Sequence, residues 1–143
     1  MSQKDISSYI TGLTNLASYY SEEIGPSYIE ADCFDLKNYK DDFSKYHKVS
    51  PNDFKLVETN KELKDVLLSW LGTKDIKITD GIIHWINVYI GSPKKIYSIK
   101  CSDNFLDSLS VFNGGSSRFY FVEDIYFVEF KEYMVCFILG NNE

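Results

Sequence analysis

Near its C-terminal end the chain reads Phe119-Tyr-Phe-Val-Glu-Asp-Ile-Tyr-Phe-Val-Glu-Phe130 and then, after two charged residues, Tyr133-Met-Val-Cys-Phe-Ile-Leu139. Both runs are rich in aromatic and β-branched residues, a composition that favours β-strands. From Ile125 to Phe130 and from Tyr133 to Leu139, apolar residues occupy both odd and even positions. Because successive strand side chains point to opposite faces, both faces of these strands must be covered. The stretch therefore predicts a hairpin inside a sheet.

The turn between the two runs is less well specified. Lys131-Glu132 would make a poor two-residue type I′ turn, because neither residue readily adopts positive φ. We therefore expect a loop of about four residues at this point.

The size and composition of the chain predict one globular domain that spans 1–143. Folding at this size buries roughly 70% of the unfolded surface, which is enough for a core without disulfides or metal. Hydrophobic residues make up 44% of the chain, and no apolar run approaches the length of a membrane span, about 18 residues. The first residues include Lys4 and Asp5 and no apolar signal segment. We therefore expect a cytoplasmic protein with no membrane segment.

Charge and motifs restrict the classes of function. The net charge of −6 repels polyphosphates, so it argues against nucleic acid and favours a basic protein partner. Cys33, Cys101 and Cys136 are widely spaced and form no C-x-x-C pair. Neither His47 nor His84 belongs to a zinc-ligand motif. The sequence therefore predicts a protein that is not an enzyme and that needs no metal or cofactor.

Helical signals dominate the first half of the chain. An apolar stripe at helical spacing predicts a first helix, which Gly25-Pro26 would end. Its members are Ile6, Tyr9, Ile10, Leu13, Leu16, Ala17, Tyr20 and Ile24. Ser50 before Pro51 predicts the start of a short helix. Thr59-Asn60-Lys61-Glu62 matches a capping box, and a second apolar stripe follows from Leu63 to Leu71.

The second half is predicted to form a sheet. From Asp75 the apolar period shortens from near 3.6 to near 2 residues. We expect a turn at Asp80-Gly81, a strand from Ile82 to Ile90 and a returning strand from Ile96 to Cys101. A helix is expected from Ser102 to Phe112. The segment 27–49 shows no sustained period, so short helical turns and loops are expected there.

Helices followed by consecutive strands are typical of an α+β fold. The predicted architecture consists of N-terminal helices packed on a largely antiparallel sheet formed by the C-terminal half.

The segment from Glu22 to Asp42 is the least balanced in charge, with seven carboxylates and two lysines. One interpretation is a solvated face that keeps the protein soluble. The other is a landing surface for a cationic protein, since complementary fields speed association and aromatic residues anchor interface cores. Calcium binding fails on spacing, because the loop motif of calcium-binding helix pairs is missing. The predicted partner-binding residues are Glu22, Glu23, Tyr28, Glu30, Asp32, Phe34, Asp35, Tyr39, Asp41 and Asp42.

Two further functions are open at this point. Helices and a curved antiparallel sheet can enclose an apolar pocket, as in small ligand-binding or isomerase domains, with Asp80 and His84 as an acid/base pair. The side chains that would line the pocket are aromatic: Trp85, Tyr89, Tyr97, Phe127 and Phe137. The other possibility is a structural subunit of a phage or mobile-element particle.

The tail Val122-Glu-Asp-Ile-Tyr-Phe-Val-Glu-Phe130, followed by Val135-Cys-Phe-Ile-Leu-Gly-Asn-Asn-Glu143, resembles bacterial immunity proteins of contact-dependent growth inhibition and related polymorphic toxin systems. The resemblance covers about the last twenty-five residues. It implies a cytoplasmic antidote that binds the C-terminal toxin domain of a cognate effector, often a nuclease, and blocks its active site. The acidic segment would match a basic, RNA-binding toxin surface by charge.

Overall fold

The computed structural model describes residues 2–20, 27–71, 76–111, 115–116 and 121–141. The α-helices in these ranges are α1 (Gln3–Tyr20), α2 (Tyr39–His47), α3 (Leu63–Leu71), α4 (Ile76–Tyr89) and α5 (Asp103–Ser108), and a 3-10 helix spans Pro51–Asp53. The strands are β1 (Ser27–Asp35), β2 (Phe54–Glu58), β3 (Lys95–Cys101), β4 (Ser110–Val111), β5 (Gly115–Ser116), β6 (Phe121–Glu129) and β7 (Tyr133–Asn141). No helix in these ranges is long and apolar enough to cross a membrane.

One antiparallel sheet organises the molecule, with the strand order β1-β7-β6-β3-β2. The hairpin β6–β7 is its centre, as the aromatic runs predict, and Val128 lies opposite Val135. The loop between these strands is 130–132, closed by a 2.8 Å hydrogen bond from the Phe130 N–H to the Tyr133 carbonyl oxygen. The α+β prediction is confirmed, although both edge strands, β1 and β2, come from the first half of the chain.

Helices cover both faces of the sheet and bury a separate apolar core on each. One core packs α1, α3 and α4 on the sheet, and its largest members include Ile6, Ile10, Leu67, Ile86, Phe130 and Phe137. The other core packs α2 and α5 on the opposite face, and its largest members include Phe43, Phe54, Phe105, Phe127 and Ile138. Along β6 and β7, consecutive apolar side chains pack into the two cores in turn. This arrangement explains why both odd and even positions are apolar.

The predicted strand from Ile82 to Ile90 is wrong, because this segment belongs to α4. Thr79, Ile82 and Ile86 are buried at helical spacing, which marks one face of a helix. The predicted turn at Asp80-Gly81 therefore lies inside the helix. The helix ends at Tyr89. Gly91 follows with a φ of 114°, in the region that favours glycine, and its N–H donates to the Ile86 carbonyl oxygen at 3.2 Å.

The expectation of short helical turns and loops over 27–49 missed the strand β1, and the helical part of the segment is α2, a helix of nine residues. In β1, Ala31 and Cys33 face one core while Phe34 faces the other. Acidic residues between these apolar ones obscure the strand pattern in the sequence. The helix expected from Ser102 to Phe112 is shorter, since α5 ends at Ser108 and a short strand follows.

Among the helix starts, the one at Ser50 is confirmed and the capping box at Thr59 is not. The Ser50 hydroxyl accepts from the Asn52 N–H. The Thr59 hydroxyl accepts from the Lys61 N–H at 3.2 Å and donates to the Ile96 carbonyl oxygen at 3.0 Å, whereas the helix begins at Leu63 and the Asp65 carboxylate accepts from the Glu62 N–H at 2.9 Å. The α3 start is therefore capped three residues later than the sequence predicts. The stop predicted at Gly25-Pro26 lies outside the described residues.

Candidate functional site

The predicted acidic surface divides into an exposed part and a buried part. Asp35, Asp41 and Asp42 are exposed, the last two in the first turn of α2, where negative charge is favourable. Glu30, Asp32 and Phe34 are buried in β1. Tyr39 is partly buried and packs on the core beneath α2. Glu22 and Glu23, and the side chain of Tyr28, lie outside the part that the structure describes.

The buried acids meet a histidine that sequence reasoning did not select. The Nε2 atom of His47 lies 2.9 Å from Oδ2 of Asp32 and 3.8 Å from Oε2 of Glu30. The exposed fraction of the histidine is 0%, and that of each acid is 7%. Glu30 and Asp32 are two residues apart on one strand and so project from the same face. We call these three residues the β1–α2 cluster.

The position of His47 is set by the packing of α2 on the sheet. The centroid of its ring lies 4.7 Å from that of the Phe43 ring, which is fully buried, and 4.8 Å from that of the exposed Tyr46 ring. Lys48 follows with φ of 60°, and its N–H bonds to the Ser44 carbonyl oxygen. This left-handed residue ends α2 directly after the histidine.

The negative charge of the cluster affects the pKa values of neighbouring groups. Burial raises the pKa of the Cys136 thiol well above its usual value, and Asp32 and Glu30 raise it further. The pKa of the Tyr46 hydroxyl is raised by burial and then by the same two carboxylates. Both groups are therefore held in their neutral forms beside two acids.

In the described part of the chain, one set of histidine, cysteine or acidic side chains is arranged closely enough to hold a metal ion, and it is the β1–α2 cluster. One donor atom from each residue lies within 4.8 Å of the other two. A groove of about 570 Å³ runs beside the cluster along the outer edge of β1. It is lined by the first turns of α1, by Asp32, Cys33 and Phe34, and by α2.

A second groove, of about 460 Å³, lies where the β2–α3 connection, α4 and the residues before β3 meet. Its charged lining includes two exposed ion pairs. Lys64 lies 3.0 Å from Asp80, and Lys95 lies 3.6 Å from Glu58. Exposed pairs of this kind contribute about 1 kcal/mol or less. Because charges of both signs line this groove, its lining does not select one class of ligand.

An uncharged aromatic surface covers the outer side of α4, and we call it the α4 face. Its members are the exposed residues Gly81, His84, Trp85, Val88 and Tyr89. The exposed fractions of Trp85, Val88 and Tyr89 are 45%, 56% and 50%. The Trp85 and Tyr89 rings stack at 6.0 Å between centroids, and the Tyr89 ring meets that of Tyr9 in α1 at 5.1 Å. From 81 to 93 the chain carries no Asp, Glu, Lys or Arg.

The predicted ligand pocket with Asp80 and His84 is not assembled in the described ranges. Asp80 pairs with Lys64, and His84 is exposed on the α4 face. Phe127 and Phe137 are fully buried in different cores on opposite sides of the sheet. The five aromatic residues expected to line one cavity therefore do not share one.

None of the known protein families, curated proteins or solved structures matches this chain. Sequence reasoning missed both the β1–α2 cluster and the α4 face. Thirteen consecutive residues without formal charge were a visible signal for the second, whereas nothing in the spacing of residues 30, 32 and 47 indicates the first.

Proposed function

We propose that this protein is an inhibitory binding protein of the immunity type, which neutralises the toxin domain of a cognate effector by covering its active site. Two features support the proposal: the resemblance of the C-terminal tail and the α4 face. The proposal concerns binding and assigns no reaction to the chain.

The exposure of the α4 face is the observation that carries the proposal. Trp85 and Tyr89 are residue types that dominate the energetics of protein interfaces, whose cores are depleted of charge. Large apolar side chains clustered on a surface mark interaction sites in soluble proteins. The rings contact one another, and Tyr9 supports them from α1. Side chains held in this way lose little rotamer freedom when a partner binds.

Gly81 leaves room for a partner to approach the α4 face closely. Glycine in a helix interior costs about 1 kcal/mol relative to alanine. A Cβ atom at this position would meet no atom of the described chain within 4 Å, so packing inside the molecule does not require glycine. A partner's backbone can therefore approach α4 closely at this position.

The acidic residues have a different role in the proposal. Asp41 and Asp42 lie in the first turn of α2, on the face of the sheet opposite the one on which α4 packs, and Asp35 lies at the end of the edge strand β1. They therefore attract a basic toxin over a distance, while the α4 face makes the contacts.

The test measures binding of the full chain to the toxin domain encoded by the neighbouring reading frame. Trp85→Ala is expected to weaken the complex by about 30-fold or more, the loss typical of an interface hot spot. Val88→Asp places a charge in the same face and should have a comparable effect.

Val57→Asp is the matched control, because Val57 is 46% exposed but lies on the edge strand β2. It should change the dissociation constant by less than about threefold, as expected for a surface position outside the contact. Equal binding by the Trp85 and Val57 variants would move the contact away from α4. Failure of the wild-type chain to bind the toxin, or to protect cells from it, would refute the proposed function.

A further inference from the structure

We propose that the β1–α2 cluster is a binding site for one divalent transition-metal ion, with Zn²⁺ as the preferred ion and Glu30, Asp32 and His47 as its protein ligands. This inference does not depend on the proposed function, because the cluster and the α4 face lie on opposite sides of the sheet.

The spacing of the donor atoms fits a zinc ion. Zinc binds histidine nitrogen and carboxylate oxygen at about 2.0–2.2 Å, so neighbouring ligand atoms in a tetrahedral site are separated by about 3.3 Å. The His47 nitrogen lies 2.9 Å from the Asp32 oxygen and 3.8 Å from the Glu30 oxygen, distances that bracket this value. The two carboxylate oxygens lie within 4.8 Å of each other, so shifts of about 1 Å or less at each ligand would bring all three donor atoms to the required spacing.

The identity of the donors selects the class of ion. One imidazole nitrogen and two carboxylate oxygens suit zinc and related transition metals, whereas calcium and magnesium prefer sites made of oxygen alone. Three protein ligands leave a fourth position, which water from the groove beside Asp32 can fill.

The charge of the cluster also favours a divalent cation. Two carboxylates with a neutral imidazole carry a charge of −2, and a protonated imidazole offsets only half of it. Buried charge is costly unless it is compensated. A divalent ion would neutralise both carboxylates and fasten α2 to the edge strand.

The experiment uses the whole 143-residue chain, stripped with EDTA and titrated with ZnCl₂ by calorimetry. Wild type is expected to bind one equivalent, and added Zn²⁺ should raise the unfolding midpoint, because an ion that binds the folded state stabilises it. His47→Gln and Asp32→Asn are each expected to weaken binding by at least about 100-fold, since even the loss of an outer-shell partner costs about 10–100-fold. His84→Gln is the matched control, because it removes the exposed histidine on α4, and it should bind like wild type.

A Co²⁺ titration of the wild-type chain tests the same site without depending on the folding of any variant. Tetrahedral absorption bands without sulfur-to-metal charge transfer would support ligation by His47 and the two acids. Charge-transfer bands would assign the ion to cysteine and overturn the proposal. It is overturned equally if wild type binds no ion, or if His47→Gln binds Zn²⁺ as well as wild type does.

Discussion

The Cys33 thiol shows how a single side chain is controlled by its surroundings. Burial raises its pKa to about 12, and Asp35 and Asp32 contribute to the shift. Cys136 is shifted in the same direction on the neighbouring strand. None of the three cysteines forms a disulfide in the described structure. Because the thiolate is the reactive form, Cys33 and Cys136 behave as small apolar residues near neutral pH.

This shift predicts a loss of stability in alkaline solution. The pKa of Cys33 is higher in the folded state than the usual 9.0, so above about pH 9 the unfolded state releases its proton first. The stabilising effect is therefore present below pH 9 and is lost as the pH rises towards 12. Between pH 8 and pH 10, wild type should lose about 0.5–1 kcal/mol more than Cys33→Ala, an amount reduced by water in the adjacent groove.

Urea unfolding at both pH values measures this difference. The two proteins differ in absolute stability, because the substitution removes a buried side chain, so the comparison concerns only the change with pH. Identical changes in the two proteins would contradict the shifted pKa of Cys33.

At the scale of secondary structure elements, β1 is an edge strand that a helix protects. Unpaired edge backbone invites association with other chains. Two hydroxyl groups of α1 form hydrogen bonds with the backbone of Ala31 on this edge. The Ser7 hydroxyl donates to the Ala31 carbonyl oxygen, and Thr11 Oγ1 accepts from the Ala31 N–H at 3.0 Å. The polar residues on this side of α1 therefore pair the backbone of the β1 edge, while Ile6 and Ile10 pack in the core.

The double substitution Ser7→Ala, Thr11→Val should destabilise the fold by about 1–3 kcal/mol, because it leaves the backbone groups of Ala31 without partners. Chemical denaturation measures the loss, and the amide of Ala31 should exchange its hydrogen faster. Ser8→Ala is the matched control, since Ser8 is the exposed neighbour of Ser7, and its effect should stay within about 0.5 kcal/mol. Equal effects of the two changes would show that α1 does not protect the edge through its hydroxyl groups.

At the scale of the whole molecule, the acidic first turn of α2 and the apolar contact surface on α4 lie on opposite sides of the sheet. The exposed acids Asp35, Asp41 and Asp42 accompany β1 and α2, whereas Trp85 and Tyr89 lie on α4. Long-range attraction does not need direct contact, but short-range packing does. A protein arranged in this way can speed its encounter with a basic partner without burying its own carboxylates.

Neutralising Asp35, Asp41 and Asp42 to asparagine changes the net charge from −6 to −3. We expect the association rate with the toxin domain to fall by roughly tenfold at low salt, with little change in the dissociation rate, because peripheral charges steer encounter. Stopped-flow binding at several salt concentrations measures both rates. The control Asp53→Asn, Glu62→Gln, Glu132→Gln makes the same change of charge at other exposed positions. An equal loss in the control would mean that net charge alone sets the rate.

Much of the fold could be predicted from the sequence because its signals are local. The stripe of α1, the Ser50 start and the two-faced hairpin β6–β7 each depend on residues that are close together along the chain. The segment from Ile82 to Ile90 is predicted as a strand but forms a helix, because a short apolar run fits either a strand or a buried helix. The spacing of Ile82, Ile86 and Ile90 favours the helix, and packing against α1 and α3 selects it.

The amino-acid sequence by itself determined the central hairpin, the α+β class and the net negative charge, since composition and periodicity carry that information directly. Only the tertiary structure decided which acids are exposed and which are buried against His47. The physical reason is that Glu30 and Asp32 take their direction from the pairing of β1 with β7, more than 100 residues later in the chain. His47 takes its position from the packing of α2 on that same sheet, so no local pattern could bring the three residues together.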